Sequence, residues 1–231
     1  MKIGIISDIH ANQYALTEVL ELFEKKKVKK IFILGDIVGY YYGTKEVLKI
    51  IKEWDCDVIK GNHEEILSKL YSKKLSENEV TTKYGSGHIN SIKSLSDSEL
   101  FYLFNLPHKI YRQYNDKKLF FCHANPWLGN EYIYPDSPKV LLNRFSEYKF
   151  DFIFFGHSHY PFSFSINNTI CINPGSVGQP RDIFSLSSCG ILDIENFVYT
   201  NYKVPYNKKI LIEEIRNNDP DNNYLQLVLN R

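Results

Sequence analysis

The chain has 231 residues, of which 43% are hydrophobic and 24% are charged. These proportions are those of an ordinary globular protein and exclude a largely disordered chain, while 12 Gly and 9 Pro exclude a collagen-like one. The net charge of +1 gives no general attraction to nucleic acid or to an anionic membrane, so we expect neither as a stable partner.

Short apolar runs alternate with longer amphipathic runs at the start of the chain. Strands are predicted over residues 2–7, 31–34 and 57–60, and helices over residues 13–27 and 44–54. This alternation is typical of a parallel sheet with right-handed crossovers. Residues 64–106 are more polar, and we interpret them as a helical insertion covering one edge of the core. Within them, Ser96 and Glu99 fit a capping box that begins a helix.

The second half of the chain returns to strands. They are predicted over residues 118–122, 152–155, 163–166, 169–173, 190–194 and 197–203, with a helix near residues 137–148. Asn167-Asn168 and Glu195-Asn196 are predicted to be two-residue hairpin turns. Residues 207–231 are expected to form a tail of two short helices.

The cysteines and the first residues bear on location. Cys56, Cys122, Cys171 and Cys189 form no C-x-x-C pair, which is typical of buried thiols in a reducing compartment. The first apolar run is too short for a secretory signal. No run approaches the roughly 20 apolar residues that span a bilayer. We therefore expect a cytoplasmic protein with no membrane partner.

Residues able to do chemistry follow five of the predicted strands. They are Asp8 and His10, then Asp36, then Asn62 and His63, then His123, then His157 and His159. Five of the seven histidines therefore lie in these loops. In open α/β sheets ligands bind at the carboxyl ends of the strands, so we expect these side chains to form one site.

The residue types favour a metal site. Imidazole and carboxylate ligands without cysteine suit Mn, Fe, Zn, Ni or Co. The candidate ligands are Asp8, His10, Asp36, Asn62, His123, His157 and His159. Seven groups are too many for one catalytic metal with an open position, but they suit two metals that share a carboxylate, with Asp36 as the expected bridge. Two ions about 3.5–4 Å apart are the arrangement used in phosphoryl transfer. His63 is then left as the candidate general acid for the leaving alkoxide.

These blocks, in this order, resemble the calcineurin-like metallophosphoesterase superfamily. They are Asp8/His10, Gly35-Asp36, Gly61-Asn62-His63-Glu64, His123 and Gly156-His157-Ser158-His159. Residues 35–40 and 173–182 are similar to the small bacterial and archaeal phosphodiesterase branch. The resemblance implies one domain over residues 1–231 with an α/β fold, a four-layer α/β/β/α sandwich of two mixed sheets flanked by helices.

The resemblance also implies roles for the site residues. It implies two divalent transition-metal ions, with manganese favoured over iron, zinc, nickel or cobalt. One ion would be held by Asp8, His10 and His159, the other by Asn62, His123 and His157, with Asp36 between them. His63 matches the family histidine that contacts phosphate and protonates the leaving group, and Asn62 also faces the substrate.

Three positions outside the ligand set bear on the substrate, and a fourth, His88, does not. Gly39 stands where eukaryote-type protein phosphatases carry an Asp that pairs with the acid histidine, which disfavours a protein phosphatase. Arg181 could bind a substrate phosphate or form an ion pair with Asp182. Tyr40 could contact the substrate or pack its own loop. His88 lies in no motif, and we interpret it as a surface or supporting residue.

The expected function is hydrolysis of phosphate esters by in-line attack of a metal-bridging hydroxide, with a phosphodiesterase favoured. The expected partner is a small phosphoester or nucleotide substrate. The alternatives are a phosphomonoesterase or protein phosphatase, a dinucleoside polyphosphate hydrolase, and a non-catalytic interaction scaffold of the same fold. The scaffold is disfavoured because His63 and all seven candidate ligands are present.

Overall fold

Two five-stranded sheets form the centre of the computed structural model, which describes residues 1–183 and 186–229. The strands are β1 (Lys2–Ile6), β2 (Val28–Ile33), β3 (Cys56–Val58), β4 (Lys109–Tyr114), β5 (Lys117–Cys122), β6 (Phe152–Phe154), β7 (Pro161–Ile166), β8 (Thr169–Pro174), β9 (Leu186–Asp193) and β10 (Val198–Pro205). Their order is β10-β9-β1-β2-β3 in the first sheet and β4-β5-β6-β8-β7 in the second.

Both sheets are mixed. β1, β2 and β3 are parallel neighbours, and β9 and β10 continue that sheet in antiparallel pairing. In the second sheet β5, β6 and β8 are parallel, while β4 and β7 pair antiparallel at the two edges. The loops that carry the candidate site residues follow the parallel strands β1, β2 and β3 of the first sheet and β5 and β6 of the second.

Helices accompany both sheets. They are α1 (Gln13–Lys25), α2 (Thr44–Ile51), α3 (Asn62–Tyr71), α4 (Glu77–Tyr84), α5 (Gly87–Ser94), α6 (Asp97–Phe104), α7 (Lys139–Asn143), α8 (Lys209–Asn218) and α9 (Asn223–Val228), with a 3₁₀ turn at Arg144–Glu147. Among the described residues, no helix is both long enough and apolar enough to span a membrane.

Alternating side chains divide the apolar core into layers. Along β2, Ile31 and Ile33 pack against the helices α1 and α2, whereas Phe32 points to the second sheet. The ring of Phe32 stacks on Phe121 of β5 with centroids 4.0 Å apart, and Phe154 of β6 belongs to the same cluster. Because successive side chains of a strand face opposite ways, each sheet packs on the other sheet through one face and on helices through the other. The predicted four-layer α/β/β/α sandwich is confirmed.

The first helix packs closely on β1. Its buried face carries Leu16, Val19 and Phe23, as the sequence pattern predicts. A Cβ at Gly4 would lie 2.4 Å from the ring of Phe23, so only glycine allows this approach. The helix ends two residues earlier than predicted, because Lys27 has a φ of +61° and cannot continue it.

The polar segment predicted to be an insertion contains the four helices α3 to α6. The predicted capping box is confirmed: the Ser96 side chain accepts from the Glu99 amide, and the Glu99 carboxylate accepts from the Ser96 amide. Leu67, Leu100 and Leu103 lie in the same apolar cluster as the faces of α1 and α2. The segment therefore supplies part of the outer core of the first sheet.

The predicted strands and turns need two corrections, one for a strand and one for a turn. β4 was not predicted, because Ile110 is its one buried residue and the remaining polar residues face solvent. The turn at Glu195-Asn196 is wrong: the last pair of the hairpin joins Asp193 to Val198, so the connection has four residues. By contrast, the hairpin turn Asn167-Asn168 is confirmed, since Ile166 pairs directly with Thr169 on either side of it.

The chain ends in two short helices, as predicted, joined through Asp219 and Pro220. The predicted tail also included residues 230 and 231, which lie outside the described residues. The Asp219 carboxylate fixes this tail to the rest of the molecule. It accepts hydrogen bonds from the Tyr42 hydroxyl at 2.6 Å, from the Ser86 amide at 3.0 Å and from the Ser86 hydroxyl at 2.9 Å.

Replacing Asp219 tests this anchor. We expect Asp219→Ala to lower the free energy of unfolding by about 2–4 kcal/mol, because hydrogen bonds to a charged group contribute roughly 1.5–3 kcal/mol each. Urea denaturation measures the change. Asp221→Ala is the matched control, since Asp221 is exposed. Equal losses in the two variants would show that the carboxylate does not anchor the tail.

Candidate metal centre

Loops after the strands of both sheets meet at one place. The Asp8 amide donates to the Gly35 carbonyl at 3.1 Å, which joins the loop after β1 to the loop after β2. The His157 amide donates to the Asp8 carboxylate at 3.0 Å, and the Gly156 amide donates to the His123 carbonyl at 2.6 Å. These contacts connect the first sheet with the loops after β5 and β6.

The backbone of these loops is strained at the candidate ligands. Positive φ angles between +50° and +67° occur at Asp8, His10, Asp36, His157 and His159. Left-handed conformations are uncommon for residues other than glycine, and each costs of order 1–3 kcal/mol. Such strain is held only where the surrounding contacts determine the conformation, and it clusters at sites where side chains must point in a required direction.

One group of buried ligand atoms is formed by Asp8, His10 and His159. The ring nitrogens Nε2 of His10 and His159 face each other at 3.1 Å, and His159 Nε2 lies 3.4 Å from Asp8 Oδ1. The opposite nitrogens are occupied: His10 Nδ1 lies 3.2 Å from the Val38 carbonyl and His159 Nδ1 lies 2.8 Å from the Gln179 carbonyl. A carbonyl can only accept, so both rings carry their hydrogen on Nδ1 and turn the Nε2 lone pair inward.

A second group is formed by Asp36, His123 and His157. His123 Nε2 lies 3.3 Å from Asp36 Oδ2 and 2.9 Å from the amide oxygen of Asn62. Its Nδ1 lies 2.6 Å from the Leu34 carbonyl, which again directs Nε2 inward. All seven candidate ligands from the sequence therefore lie in one cluster, in which all but the partly exposed Asn62 are buried.

Asp36 is common to two groups, because it also lies within ligand distance of His10 and His63. His10 Nε2 is 3.9 Å from Asp36 Oδ2, so this carboxylate lies between the two halves of the cluster. His63 is part of the same assembly: its ring centroid is 4.7 Å from that of His10, and its backbone amide donates to Asp36 at 2.8 Å.

The electrostatics of the cluster fit a divalent cation. Burial acts to raise the pKa of Asp36, yet the His123 and His63 rings hold it well below its usual value. Burial opposes ionisation of Asp8 too, but His159 lowers its pKa to about 2. Burial, followed by the neighbouring His159 ring, lowers the pKa of His10 to about 3, which keeps that ring neutral as a metal ligand must be.

Unpartnered atoms point to the same conclusion. Among the described residues, Asp8 Oδ1 and His157 Nε2 are buried and accept no hydrogen bond. Buried polar atoms are normally satisfied, because an unpaired one loses its water without compensation. Ionised carboxylates and neutral imidazoles, with lone pairs directed at one another, are suited to hold transition-metal ions through nitrogen and oxygen.

Glu64, the last residue of the Gly61–Glu64 motif, holds two loops of the site together through hydrogen bonds to backbone amides. Its Oε2 accepts from the amides of Asp36 at 2.9 Å and Gly61 at 2.7 Å. Its Oε1 accepts from the amides of Ile37 at 2.7 Å and Val38 at 3.2 Å. Burial and the nearby Asp36 carboxylate raise the pKa of Glu64 to about 7. One buried side chain thus joins the loop after β2 to the start of α3.

His88 supports the site, which is one of the two roles expected from the sequence, and the other, a surface position, is wrong. It is completely buried, and its Nε2 lies 3.2 Å from His63 Nδ1 with the two rings stacked at 15°. A Cβ at Gly39 would lie 2.1 Å from His63 Nδ1 and 2.9 Å from His88 Cε1. The glycine that replaces the phosphatase Asp therefore leaves room for a His63–His88 pair. No motif surrounds His88, so only the tertiary structure reveals this contact.

Arg181 and Tyr40 also lie beside the cluster. The expected alternative pair of Arg181 with Asp182 does not form, because the Asp182 carboxylate binds Lys203 instead. The Arg181 amide donates to the His159 carbonyl at 3.3 Å. The Tyr40 ring packs on His10 and His63, with centroids 4.7 and 4.8 Å away.

The position of Glu64 leads to a stability prediction. In Glu64→Gln, one acceptor oxygen becomes an NH₂ donor that faces two backbone N–H donors, so at least two buried amides lose their acceptor. We expect the free energy of unfolding to fall by about 2–4 kcal/mol, since each unsatisfied buried donor costs roughly 1–3 kcal/mol. Chemical denaturation measures the loss, with Glu65→Gln at a partly exposed position as the control. A loss no larger than that of the control would contradict the role of Glu64.

Comparison with known proteins agrees with the fold. Residues 1–196 match the calcineurin-like phosphoesterase superfamily domain. An uncharacterized protein of Methanocaldococcus jannaschii is 36% identical over 237 residues, which cover 94% of this chain and 92% of that protein.

Two solved structures have the same fold along nearly their whole length. A metallophosphoesterase from Sphaerobacter thermophilus superposes with a TM-score of 0.81 at 26% identity, covering 100% of this chain and 98% of the other. A hypothetical protein from Pyrococcus horikoshii superposes with a TM-score of 0.85 at 22% identity, covering 99% and 97%. The family match spans strands β1 to β9 and every loop that contributes a candidate ligand, and the chain belongs to the calcineurin-like phosphoesterase superfamily.

Proposed function

We propose that this protein is a metal-dependent phosphodiesterase that works with two divalent transition-metal ions, manganese being the favoured one. The observation that carries the proposal is the position of Asp36, a buried carboxylate that belongs to two groups of ligand atoms. A single shared carboxylate between two sets of imidazoles is what a binuclear centre requires. The thermophilic relative described as a metallophosphoesterase supports the same reaction class.

The proposed ligands follow the two halves of the cluster. Asp8, His10 and His159 would hold one ion, Asn62, His123 and His157 would hold the other, and both sets would share the Asp36 carboxylate. When bound, the two ions supply an acidified water and neutralise charge on the phosphoryl oxygens. The carbonyl groups that fix Nδ1 of His10, His123 and His159 keep these rings in one orientation, so the site needs little reorganisation to bind metal.

His63 is the proposed general acid. Its contact with His88 engages Nδ1, so Nε2 is the ring nitrogen left to donate a proton to the leaving oxygen. The Tyr40 and Tyr84 rings pack against the His63 ring and limit its rotation. His88 thereby acts as a positioning residue for His63 in the place where a protein phosphatase uses a carboxylate.

The substrate side of the site consists of Asn62, His63, Arg181 and Tyr40. Asn62 and His63 begin α3, where backbone N–H groups and the positive end of the helix dipole favour an anion. Arg181 offers a charged fork for a phosphate oxygen. We also propose a cytoplasmic location, in keeping with the buried thiols of Cys122, Cys171 and Cys189.

Paired chromogenic esters test the reaction class. The protein is stripped of metal and reloaded with Mn, Ni, Co, Mg or Zn one at a time, and hydrolysis of bis(p-nitrophenyl) phosphate is compared with that of p-nitrophenyl phosphate. We expect metal-dependent cleavage that favours the diester. Faster cleavage of the monoester would indicate a phosphomonoesterase instead, and no cleavage with any ion would favour a non-catalytic scaffold.

Asp36→Asn tests whether two metal ions share the Asp36 carboxylate. Loss of the shared charge is expected to abolish hydrolysis and to lower the bound metal from two ions per chain to fewer than one, measured by elemental analysis after dialysis. Two ions that remain bound in this variant would show that Asp36 does not bridge.

Replacing His63 tests the general acid. We expect His63→Asn to retain metal and to lower kcat by about 10²–10⁴-fold on a methyl phenyl diester, because the phenolate leaving group needs a proton. The loss is expected to be smaller on a methyl p-nitrophenyl diester, whose leaving group is more acidic. His108→Asn, at an exposed histidine, is the control. Equal losses on both esters would rule out proton donation by His63.

A further inference from the structure

A cavity opens beside the candidate metal centre. It has a volume of about 750 Å³ and is lined by Tyr134, Tyr160, Arg181, Tyr224 and Val228, with Pro135 and Asp136 at its rim. We call these lining residues the tyrosine pocket. Its position is fixed through Arg181, whose backbone amide bonds to the carbonyl of the candidate ligand His159. The pocket therefore lies next to the place where the scissile phosphate is proposed to bind.

Within the described residues, the pocket contains a cation, Arg181, that has no carboxylate partner. Arg181 is half-buried, and among residues 1–183 and 186–229 no carboxylate lies within 4.0 Å of its guanidinium. Its neighbour Asp182 is bound to Lys203, and Asp136 is exposed at the rim. A partly desolvated guanidinium is normally paired, and its planar fork fits the oxygens of a phosphate or carboxylate. The charge in this pocket thus suits a ligand anion.

One wall of the pocket is a row of aromatic rings that begins at the metal centre. Tyr132 stacks on the candidate ligand His157 with ring centroids 4.1 Å apart at 22°. Tyr134 stacks on Tyr132 at 5.8 Å, and Tyr160 meets Tyr134 edge-on at 5.7 Å. The row leads away from the cluster of ligands and ends in the tyrosine pocket.

Another part of the pocket lining comes from the C-terminal tail. Tyr224 of α9 lies 6.0 Å from the ring of Tyr40, which itself packs on His63. The Tyr224 hydroxyl donates to the Gln179 side chain at 3.1 Å, and this bond holds the ring in place. Tyr224 remains 37% exposed, so its ring has free surface for a ligand.

We propose that the tyrosine pocket binds the nucleotide part of the substrate, with its second phosphate on Arg181 and its base against Tyr134 and Tyr224. The inference rests on the proposed phosphoesterase function, since that function places the scissile phosphate in the neighbouring metal centre. Planar bases stack on aromatic side chains without regard to base identity, which suits a pocket lined by tyrosines. The substrate class is therefore a nucleotide phosphoanhydride, or a phosphodiester of a nucleotide that carries a further phosphate.

Calorimetric titration of the metal-loaded full-length protein tests the pocket without requiring turnover. The probes are α,β-methylene-ADP, methylenediphosphonate, which lacks the nucleoside, and AMP, which lacks the second phosphate. We expect α,β-methylene-ADP to bind at least 10-fold more tightly than either of the other two. Similar dissociation constants for all three probes would overturn the proposal, because neither the base nor the second phosphate would then be recognised.

Variants test which residues recognise the second phosphate and the base. Arg181→Met is expected to raise the dissociation constant of α,β-methylene-ADP by about 10–100-fold, as for loss of a charged hydrogen bond. Arg216→Met, at an exposed arginine of α8, should leave it within twofold. An Arg181→Met variant that binds α,β-methylene-ADP as tightly as the unaltered protein would contradict the assignment.

Substitutions of Tyr224 test whether its ring stacks on the base or only supports the fold. Tyr224→Ala is expected to weaken α,β-methylene-ADP by about 5–100-fold, the range for loss of one stacked base, and to leave methylenediphosphonate within threefold. Tyr224→Phe keeps the ring and should retain most of the affinity. Equal weakening of both probes in Tyr224→Ala would contradict base stacking. If the protein hydrolyses no ester but binds α,β-methylene-ADP selectively, the proposed function is wrong and the pocket proposal stands. If it hydrolyses esters but does not bind α,β-methylene-ADP selectively, the pocket proposal is wrong and the proposed function stands.

Discussion

The carboxylate of Glu64 is the contact on which the geometry of the centre depends. It accepts hydrogen bonds from four buried backbone amides, three in the loop after β2 and one just before α3. These amides belong to the segments that carry Asp36, Asn62 and His63. Because a carboxylate offers two oxygens and no donor, it can satisfy all four N–H groups at once, which no neutral side chain of this size can do. The distance between the two loops is therefore set by one side chain that need not touch substrate.

The fold holds two buried carboxylates close together even without a metal ion. Two buried carboxylates lie among imidazoles whose outer nitrogens are tied to backbone carbonyls. His123 compensates Asp36: burial acts to lower its pKa, but the Asp36 charge raises it to about 10. In the protein without metal this proton neutralises part of the negative charge. Since a metal ligand must be deprotonated at the coordinating nitrogen, metal binding would release it.

The sequence predicted which of these side chains come together, because their placement is a property of topology. Asp8, Asp36 and His123 each follow a central strand, and the carboxyl ends of parallel strands share an edge. His88 and Tyr224 could not be predicted in the same way, because each reaches the centre from a helix with no motif, through contacts between distant parts of the chain. Strand β4 was missed for another reason: an edge strand with one buried side chain lacks the apolar pattern that identifies a strand.

The tail anchored by Asp219 has a consequence for how this enzyme family can diverge. The proposed ligands and the acid histidine come from strand ends and the start of α3, but Tyr224 comes from α9, five residues beyond Asp219. The proposed reaction machinery and the Tyr224 side of the tyrosine pocket are therefore encoded in separate parts of the gene. Substitutions in the last short helix would change the proposed substrate contacts without altering the candidate metal cluster, so selection can act on the two independently.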